Sequence, residues 1–462
     1  MPDFDLIVIG AGPGGYVAAI KAAQHGKKVA LVEREALGGV CLNWGCIPTK
    51  ALLKAAEVFE LTKHASAFGI NAGTPTVDFP KTIAYSRGIA DQMSKGVAFL
   101  MKKNKVMVLT GTARLAAKDQ VVVKHADGEK TYSTGAIILA TGARPRAFPH
   151  LPIDGTLVFN AREAMNLPKQ PKSLLCIGAG AIGMEFASFY AAIGTTVTVV
   201  EMLDQVLPIE DVEVSKFVEK AFVKKGVAIK TGTKVAALTK QADSVTVVLD
   251  KGGVTESLTV DRVLVAVGMV PNVEGLGLEA VGVKLGERGF VATDENAQTN
   301  IPGIYAIGDL AGRQLLAHKA SVEGEAAVAH MVGHPNPVDY TQVPGCTYCQ
   351  PQVASLGLTE AKATANGRQV KIGRFQFMAS GKAQAINHPE GFVKLIFDAQ
   401  HNQLIGAHLV GYDATEMLAE LSLAMKIECT AEELVSTIHA HPTLSEAVME
   451  AAADALGQCV HQ

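Results

Sequence analysis

The chain has 462 residues, room for about three domains. Apolar residues make up 48% and charged residues 19%, which excludes a disordered polymer. Lys and Arg number 42 against 45 Asp and Glu, a net charge of −3, and aromatics are 5% with one Trp. Such a chain lacks the basic surface and stacking platforms that nucleic acid or an anionic membrane would need.

The first residues, Met1-Pro-Asp-Phe-Asp5, are acidic where a secretion signal is basic. The longest near-apolar stretch, 174–200, contains Glu185 and four glycines, which suits strand, turn, helix and strand better than a membrane span. Seven cysteines are an odd and sparse set, unlike a secreted disulfide framework. The cytoplasm is the expected compartment.

In chain order, the first element is an apolar strand running into a glycine turn, Asp5-Leu-Ile-Val-Ile-Gly10-Ala-Gly12-Pro-Gly-Gly15. A helical stretch ends at Gly26, and a second apolar run ends at Glu33. The same unit returns 168 positions later, with Gly178, Gly180, Gly183, Gly194 and Glu201 in the matching places. In a dinucleotide-binding unit the first glycine makes the tight turn and the second lets the backbone approach a pyrophosphate. The third lets helix and strand pack closely, and the acid accepts ribose hydroxyls. One such motif is a weak signal; two with matched strands and acids predict two dinucleotide sites. Glu201 would repel a 2′-phosphate, and Met202-Leu-Asp-Gln205 offers no cation, so NAD is expected over NADP at the second site.

Between the two copies lies Cys41-Leu-Asn-Trp-Gly-Cys46. Five residues of straight helix rise about 7.5 Å, too far for bridged cysteines, so a disulfide here needs a distorted helix start, which Gly45 permits. Two buried thiols remain the alternative, but beside a cofactor site a redox pair is favoured over a structural bridge. The stretches Ala136–Gly142 and Arg262–Gly268 read as strands followed by glycine and proline, where the chain crosses between domains. Gly303–Asp309 is another strand, ending in an acid. From about Val343 the pattern changes to the short alternating strands and helices of a third, α+β domain.

Cys346-Thr-Tyr-Cys349 has the spacing of a redox pair or half a zinc site, but no second ligand pair follows, and Gln350–Gly357 reads as the start of a sheet. No metal site is expected. Cys176, Cys429 and Cys459 are read as structural. Near the C-terminus, His439-Ala-His441-Pro-Thr-Leu-Ser-Glu446 predicts a helix beginning at Pro442 with Glu446 in its opening turns. A His–carboxylate pair is a suitable base for a thiol; taken alone, the residues favour the plainer reading of a helix-start histidine with a dipole-favoured acid.

Taken together, Leu37-Gly-Gly-Val-Cys41-Leu-Asn-Trp-Gly-Cys46-Ile-Pro-Thr-Lys50, both glycine motifs, Ala306-Ile-Gly-Asp309 and His439-Ala-His-Pro-Thr443 resemble the pyridine nucleotide-disulfide oxidoreductases over essentially the whole chain. The resemblance implies an α/β fold with two Rossmann-like dinucleotide-binding domains and a C-terminal α+β dimerisation domain. The expected boundaries are 1–145 for FAD, completed by 271–342, then 146–270 for NAD and 343–462 for dimerisation. It implies FAD at Gly10, Gly12 and Gly15, with Glu33 on the ribose and Lys50, Thr141, Gly142, Asp309 and Ala317 around the rest. NAD would take Gly178, Gly180, Gly183, Glu185, Glu201 and Gly268. Cys41 would be the sulfur attacked by a dihydrolipoyl thiolate and Cys46 the one nearer the flavin. His441 and Glu446 would act on the disulfide of the partner in a homodimer. Lipoyl-bearing proteins of multienzyme complexes are the implied partners; with no lipoyl segment before the first glycine motif, the substrate is expected on a separate protein or as a small molecule.

Met269 stands where many relatives have Arg, Trp44 where Val is frequent, and Cys346 and Cys349 depart from the animal-type pattern. The alternative is a related reductase acting on another disulfide. A glutathione-type enzyme would need Arg residues after the second motif, and a mercuric reductase a C-terminal Cys pair in place of the single Cys459. A flavin- and NAD-binding structural subunit would not need the Cys41, Cys46, His441 and Glu446 set.

Overall fold

A computed structural model describes residues 1–461. The chain packs as two compact units, one formed by 1–52, 78–146 and 268–339, the other by 53–77, 147–267 and 340 onward. The changes of unit after Arg146 and before Gly268 fall at the glycine- and proline-marked stretches.

The first unit is built on strand β1 (Phe4–Ile9), helix α1 (Pro13–Gln24) and strand β2 (Val29–Glu33). A parallel sheet runs from Met107–Thr110 through β2 and β1 to the second half of the strand Gly128–Leu139, and then to Ile304–Ala306. The first half of Gly128–Leu139 turns into an antiparallel meander with Gln120–His125 and Thr112–Ala117. Residues 6–9 and 29–32 are apolar without a break because both faces of the sheet are covered there. Phe4, Ile7 and Ile9 enter one core with Ala30 and Val32, while Leu6 and Val8 enter the other with Val29 and Leu31. Helix α1 crosses the helix Ala317–Met331 at glycines: a Cβ on Gly14 would lie 2.7 Å from the Ala320 carbonyl oxygen, and one on Gly324 2.8 Å from that of Gly14. Helix α2 (Gly39–Trp44) and helix α3, which begins at Cys46 and runs to Lys63, follow β2.

The second unit repeats the plan with strand β3 (Ser173–Ile177), helix α4 (Ala181–Ala192) and strand β4 (Thr196–Val200). Five parallel strands run in the order Ala228–Lys230, β4, β3, Arg262–Val265, Val158–Phe159. Helix α5 (Val212–Lys224) follows β4 and is capped by the Asp211 carboxylate, which accepts the Glu213 amide. A three-stranded antiparallel sheet spans Lys234–Val260.

The C-terminal part of this unit is a five-stranded antiparallel sheet in the order Gly345–Thr347, Gln352–Gly357, β6 (Leu404–Gly411), β5 (Gly391–Asp398), Val370–Gln376. Helices Leu418–Lys426, Ala431–Ser436 and α6 (Glu446–Ala455) close one core with it, through residues such as Leu421, Leu434 and Val448. No helix among the described residues is long and apolar enough to cross a membrane.

Candidate active site

Each glycine turn is drawn tight by its own sheet. Gly10 N donates to Val32 O and Gly178 N to Val200 O, both at 2.8 Å. The first glycine of each turn has positive φ, +106° at Gly10 and +101° at Gly178. A Cβ on Gly10 would stand 2.7 Å from the Ala140 carbonyl carbon, and one on Gly178 2.9 Å from that of Ala266. At the third glycine the helix sits against the turn: a side chain on Gly15 would overlap the Gly10 carbonyl oxygen, and one on Gly183 that of Gly178. The second glycines differ. Gly12 and Gly180 have extended backbone, and a Cβ on either would meet no atom within 4 Å. Space for a methyl over the start of a helix is what an approaching pyrophosphate requires.

The two acids are held alike. Glu33 accepts Ala11 N on Oε2 and Glu35 N on Oε1, both at 2.8 Å. Glu201 accepts Ala179 N at 2.8 Å and Leu203 N at 2.9 Å. The 168-residue repeat in sequence is therefore a repeat of hydrogen bonds, with each carboxylate tied to its own glycine turn.

Cys41 and Cys46 form a disulfide with Cα atoms 4.6 Å apart. The shortening comes from a break at Gly45, between α2 and α3, as expected of the spacing. A Cβ on Gly45 would lie 3.0 Å from Val40 O and 3.2 Å from Cys41 Cα, tight contacts with main chain that glycine avoids where the two helices meet. Side chains fix the break. Asn43 Nδ2 donates to Leu37 O and Gly39 O, and Thr49 Oγ1 to Gly45 O. Arg87 donates to Asn43 O and Ser86 Oγ to Pro48 O. The segment is also seated on the first glycine turn: Gly38 N donates to Ala11 O at 2.9 Å, and a Cβ on Gly39 would lie 2.7 Å from Gly12 Cα. Lys50 follows Cys46 by one turn of α3.

Other residues expected around the first site lie in the same unit. Thr141 Oγ1 donates to Asn272 O, and Asn272 returns its side-chain amide to Thr141 O, both at 2.9 Å. Gly142 has φ +68° and its carbonyl accepts Asn272 N. Asp309 is the second residue of the turn Gly308–Ala311, and Ala317 opens the helix Ala317–Met331. Burial pushes the Asp309 carboxyl up, with Lys319 opposing the rise. Gly268, expected on the NAD side, falls in the first unit; it has φ +98°, and its carbonyl accepts Arg146 N.

In the second unit, Glu185 lies on α4, buried, and its Oε1 accepts the Tyr348 amide at 2.9 Å. Burial, aided by Cys346, pushes the Tyr348 phenol up to about 12. Cys346 lies on the strand Gly345–Thr347, and Cys349 is buried with its thiol donating to Pro351 O. Cys176 sits inside β3, where burial pushes its thiol up to about 12. Cys429 is buried and Cys459 donates to Glu450.

His441 Nδ1 meets Glu446 Oε1 at 2.9 Å, leaving Nε2 outward on a side chain that is 77% exposed. The helix does not begin at Pro442 as expected. It begins at Glu446, because residues 440–443 close a turn in which Thr443 Oγ1 donates to Ala440 O. Glu446 Oε2 folds back to accept Thr443 N. Burial would raise the Glu446 carboxyl, but that amide and His441 hold it below its ordinary value. One carboxylate thus fixes both the turn and the imidazole, a geometry suited to a base.

Sequence reasoning missed Gly38 and Gly39, Asn43, Arg87, Tyr348 and the pair Lys319–Glu323. The double glycine after Leu37 was one local signal, and Asn43 and the Lys319–Glu323 pair have partners within a few residues, whereas Arg87 and Tyr348 meet partners remote in sequence.

A family model described as pyridine nucleotide-disulphide oxidoreductase matches residues 4–324, and that family's dimerisation-domain model matches 343–452. A curated protein of Rhizobium etli named dihydrolipoyl dehydrogenase is 47% identical over 477 residues, covering 99% of each chain. One of the same name from Chlorobaculum tepidum is 49% identical over 457 residues, 98% of this chain and 97% of its own. Among solved structures, LpdA of Mycobacterium tuberculosis has a TM-score of 0.90 at 28% identity, covering 97% of this chain and 98% of that one. The HOCl-induced flavoprotein disulfide reductase RclA of Escherichia coli has a TM-score of 0.86 at 25% identity, covering 97% and 99%.

Proposed function

Because the chain belongs to the pyridine nucleotide-disulphide oxidoreductase family, we propose that it oxidises dihydrolipoamide, and dihydrolipoyl groups on carrier proteins, to the lipoyl disulfide while reducing NAD to NADH. The observation that carries this reading is the Cys41–Cys46 disulfide seated on the first glycine turn, in a chain nearly half identical to proteins named for that reaction.

The residues fit FAD at the first turn. Gly10 and Gly15 shape the turn, and Gly12 leaves the backbone open. Glu33 would take the ribose, and Lys50, Thr141, Gly142, Asp309 and Ala317 would hold the remainder. NAD is taken by Gly178, Gly180, Gly183, Glu185, Glu201 and Gly268, and the acid at Glu201 selects against a 2′-phosphate. Residues 1–145 with 271–342 serve FAD, 146–270 serve NAD, and 343–462 serve dimerisation.

His441 Nε2 accepts a proton from a substrate thiol, with Glu446 stabilising the imidazolium through Nδ1. The thiolate attacks Cys41 Sγ; a mixed disulfide forms as the Cys41–Cys46 bond breaks, and Cys46 departs as thiolate. The second substrate thiol attacks the substrate sulfur of that mixed disulfide and displaces Cys41, its proton passing to the departing Cys41 Sγ. The products are a cyclic lipoyl disulfide and a reduced Cys41/Cys46 pair. Bound FAD would supply the two-electron acceptor that lets Cys41 and Cys46 close their disulfide again, and the hydride donor for NAD. In a homodimer, which the dimerisation segment supports, His441 and Glu446 serve the disulfide of the second copy. The cytoplasm, where Cys176, Cys429 and Cys459 stay reduced, suits this chemistry.

The test is extraction and identification of the bound flavin, followed by kcat/KM with NAD and NADP on reduced lipoamide. FAD and a strong preference for NAD are expected; equal use of NADP overturns the assignment of Glu201.

A further inference from the structure

A second set of buried charges lies against the turn that carries Asp309. The helix Ala317–Met331 contributes Lys319 and Glu323, one turn apart, both with fully buried side chains. A buried ammonium is costly unless its protons are used. Here all three are: Lys319 Nζ donates to Gly308 O, Gly312 O and Glu323 Oε2, each at 3.0 Å. Glu323 Oε2 also accepts the Gly308 amide at 2.7 Å.

The pair therefore grips both ends of the turn Gly308–Ala311, before and after Asp309. The two gripped residues, Gly308 and Gly312, have φ of +69° and +75°, conformations that let the chain fold back onto the helix. A Cβ on Gly308 would come within 3.2 Å of Ala320 Cβ, the residue next to Lys319. The charges also act on Asp309, Lys319 favouring its ionised form and Glu323 opposing it.

We infer that Lys319 and Glu323 are a positioning pair that aims the Asp309 carboxylate at bound FAD and balances the charge beneath it. The inference rests on the reading of the first glycine turn and Asp309 as an FAD site. Lys319 and Glu323 act through Asp309, so their loss and its loss are one event.

A double-mutant cycle on FAD affinity tests this, with dissociation constants from fluorescence titration of cofactor-stripped protein. Lys319→Met and Asp309→Asn each weaken FAD binding at least about tenfold, and the double variant is no weaker than the weaker single one within about twofold. Multiplying losses, or unchanged affinity in Lys319→Met, overturn the clamp. Should Lys319→Met lose its far-ultraviolet circular dichroism, the near-isosteric Glu323→Gln takes its place in the same cycle. Wild-type protein that binds no FAD, or normal affinity in Asp309→Asn, instead removes the FAD reading of this site.

Discussion

Alanine at the first and second glycines of the turns separates folding from binding. At Gly10, φ is +106° and a Cβ would stand 2.7 Å from the Ala140 carbonyl carbon, closer still to its oxygen. Left-handed backbone and overlap with immovable main chain together cost about 3–5 kcal/mol. At Gly12, φ is −66° and no atom lies within 4 Å of the added methyl. The fold should then change by less than about 1 kcal/mol, with the reduced freedom of the unfolded chain favouring alanine. Yet that methyl fills the space through which the pyrophosphate approaches, so FAD affinity should fall at least about tenfold. Urea unfolding of cofactor-stripped protein measures the first effect and FAD titration the second. Gly12→Ala that binds FAD as wild type does, or that unfolds as readily as Gly10→Ala, refutes the cradle. Gly180→Ala should reproduce the binding defect for NAD and leave FAD untouched.

His441→Gln should lower dithiol oxidation by about 10²–10⁴, the usual worth of a general base, and Glu446→Gln by less. Normal reduction of the enzyme by NADH in both would show that the cofactors are undisturbed; a normal rate with dihydrolipoamide would remove the base. Lys394, fully buried on β5 against Asp211, Glu213 and Glu360, should cost about 3–5 kcal/mol of stability when changed to Met, because three acids lose a buried cation. Unfolding midpoints equal to wild type would contradict that. Arg374 above all, then Lys394, hold the Glu213 carboxyl at about 2 against its burial. A depressed carboxylate stabilises the fold above its ordinary value near 4.3 and ceases to as pH falls toward the folded value. Wild type should therefore lose more stability between about pH 5 and 2 than Glu213→Gln; equal losses would refute the assignment.

The dinucleotide turns were legible because their logic is local: three glycines and an acid at fixed spacing specify turn, helix start and carboxylate within one strand–helix–strand unit. The disulfide was legible as a geometric demand on Gly45, which the structure meets. The start of α6 was misplaced at Pro442, since proline signals a helix opening but says nothing of Thr443 N turning back to Glu446 Oε2. Buried charges were the least legible. Lys394 and Asp211 are 183 positions apart and meet at 3.1 Å. Lys319 and Glu323 show a helical spacing found on any solvated helix face, and nothing nearby tells that this face is covered. Contacts made by packing leave no pattern along the chain.

The most direct test of the dithiol relay is NADH formation from NAD and reduced lipoamide by the purified flavoprotein, compared with Cys46→Ser. Rapid turnover in wild type and none in the variant is the predicted result. Turnover that survives Cys46→Ser, or wild-type protein that binds FAD and accepts electrons from NADH yet ignores reduced lipoamide, would contradict it.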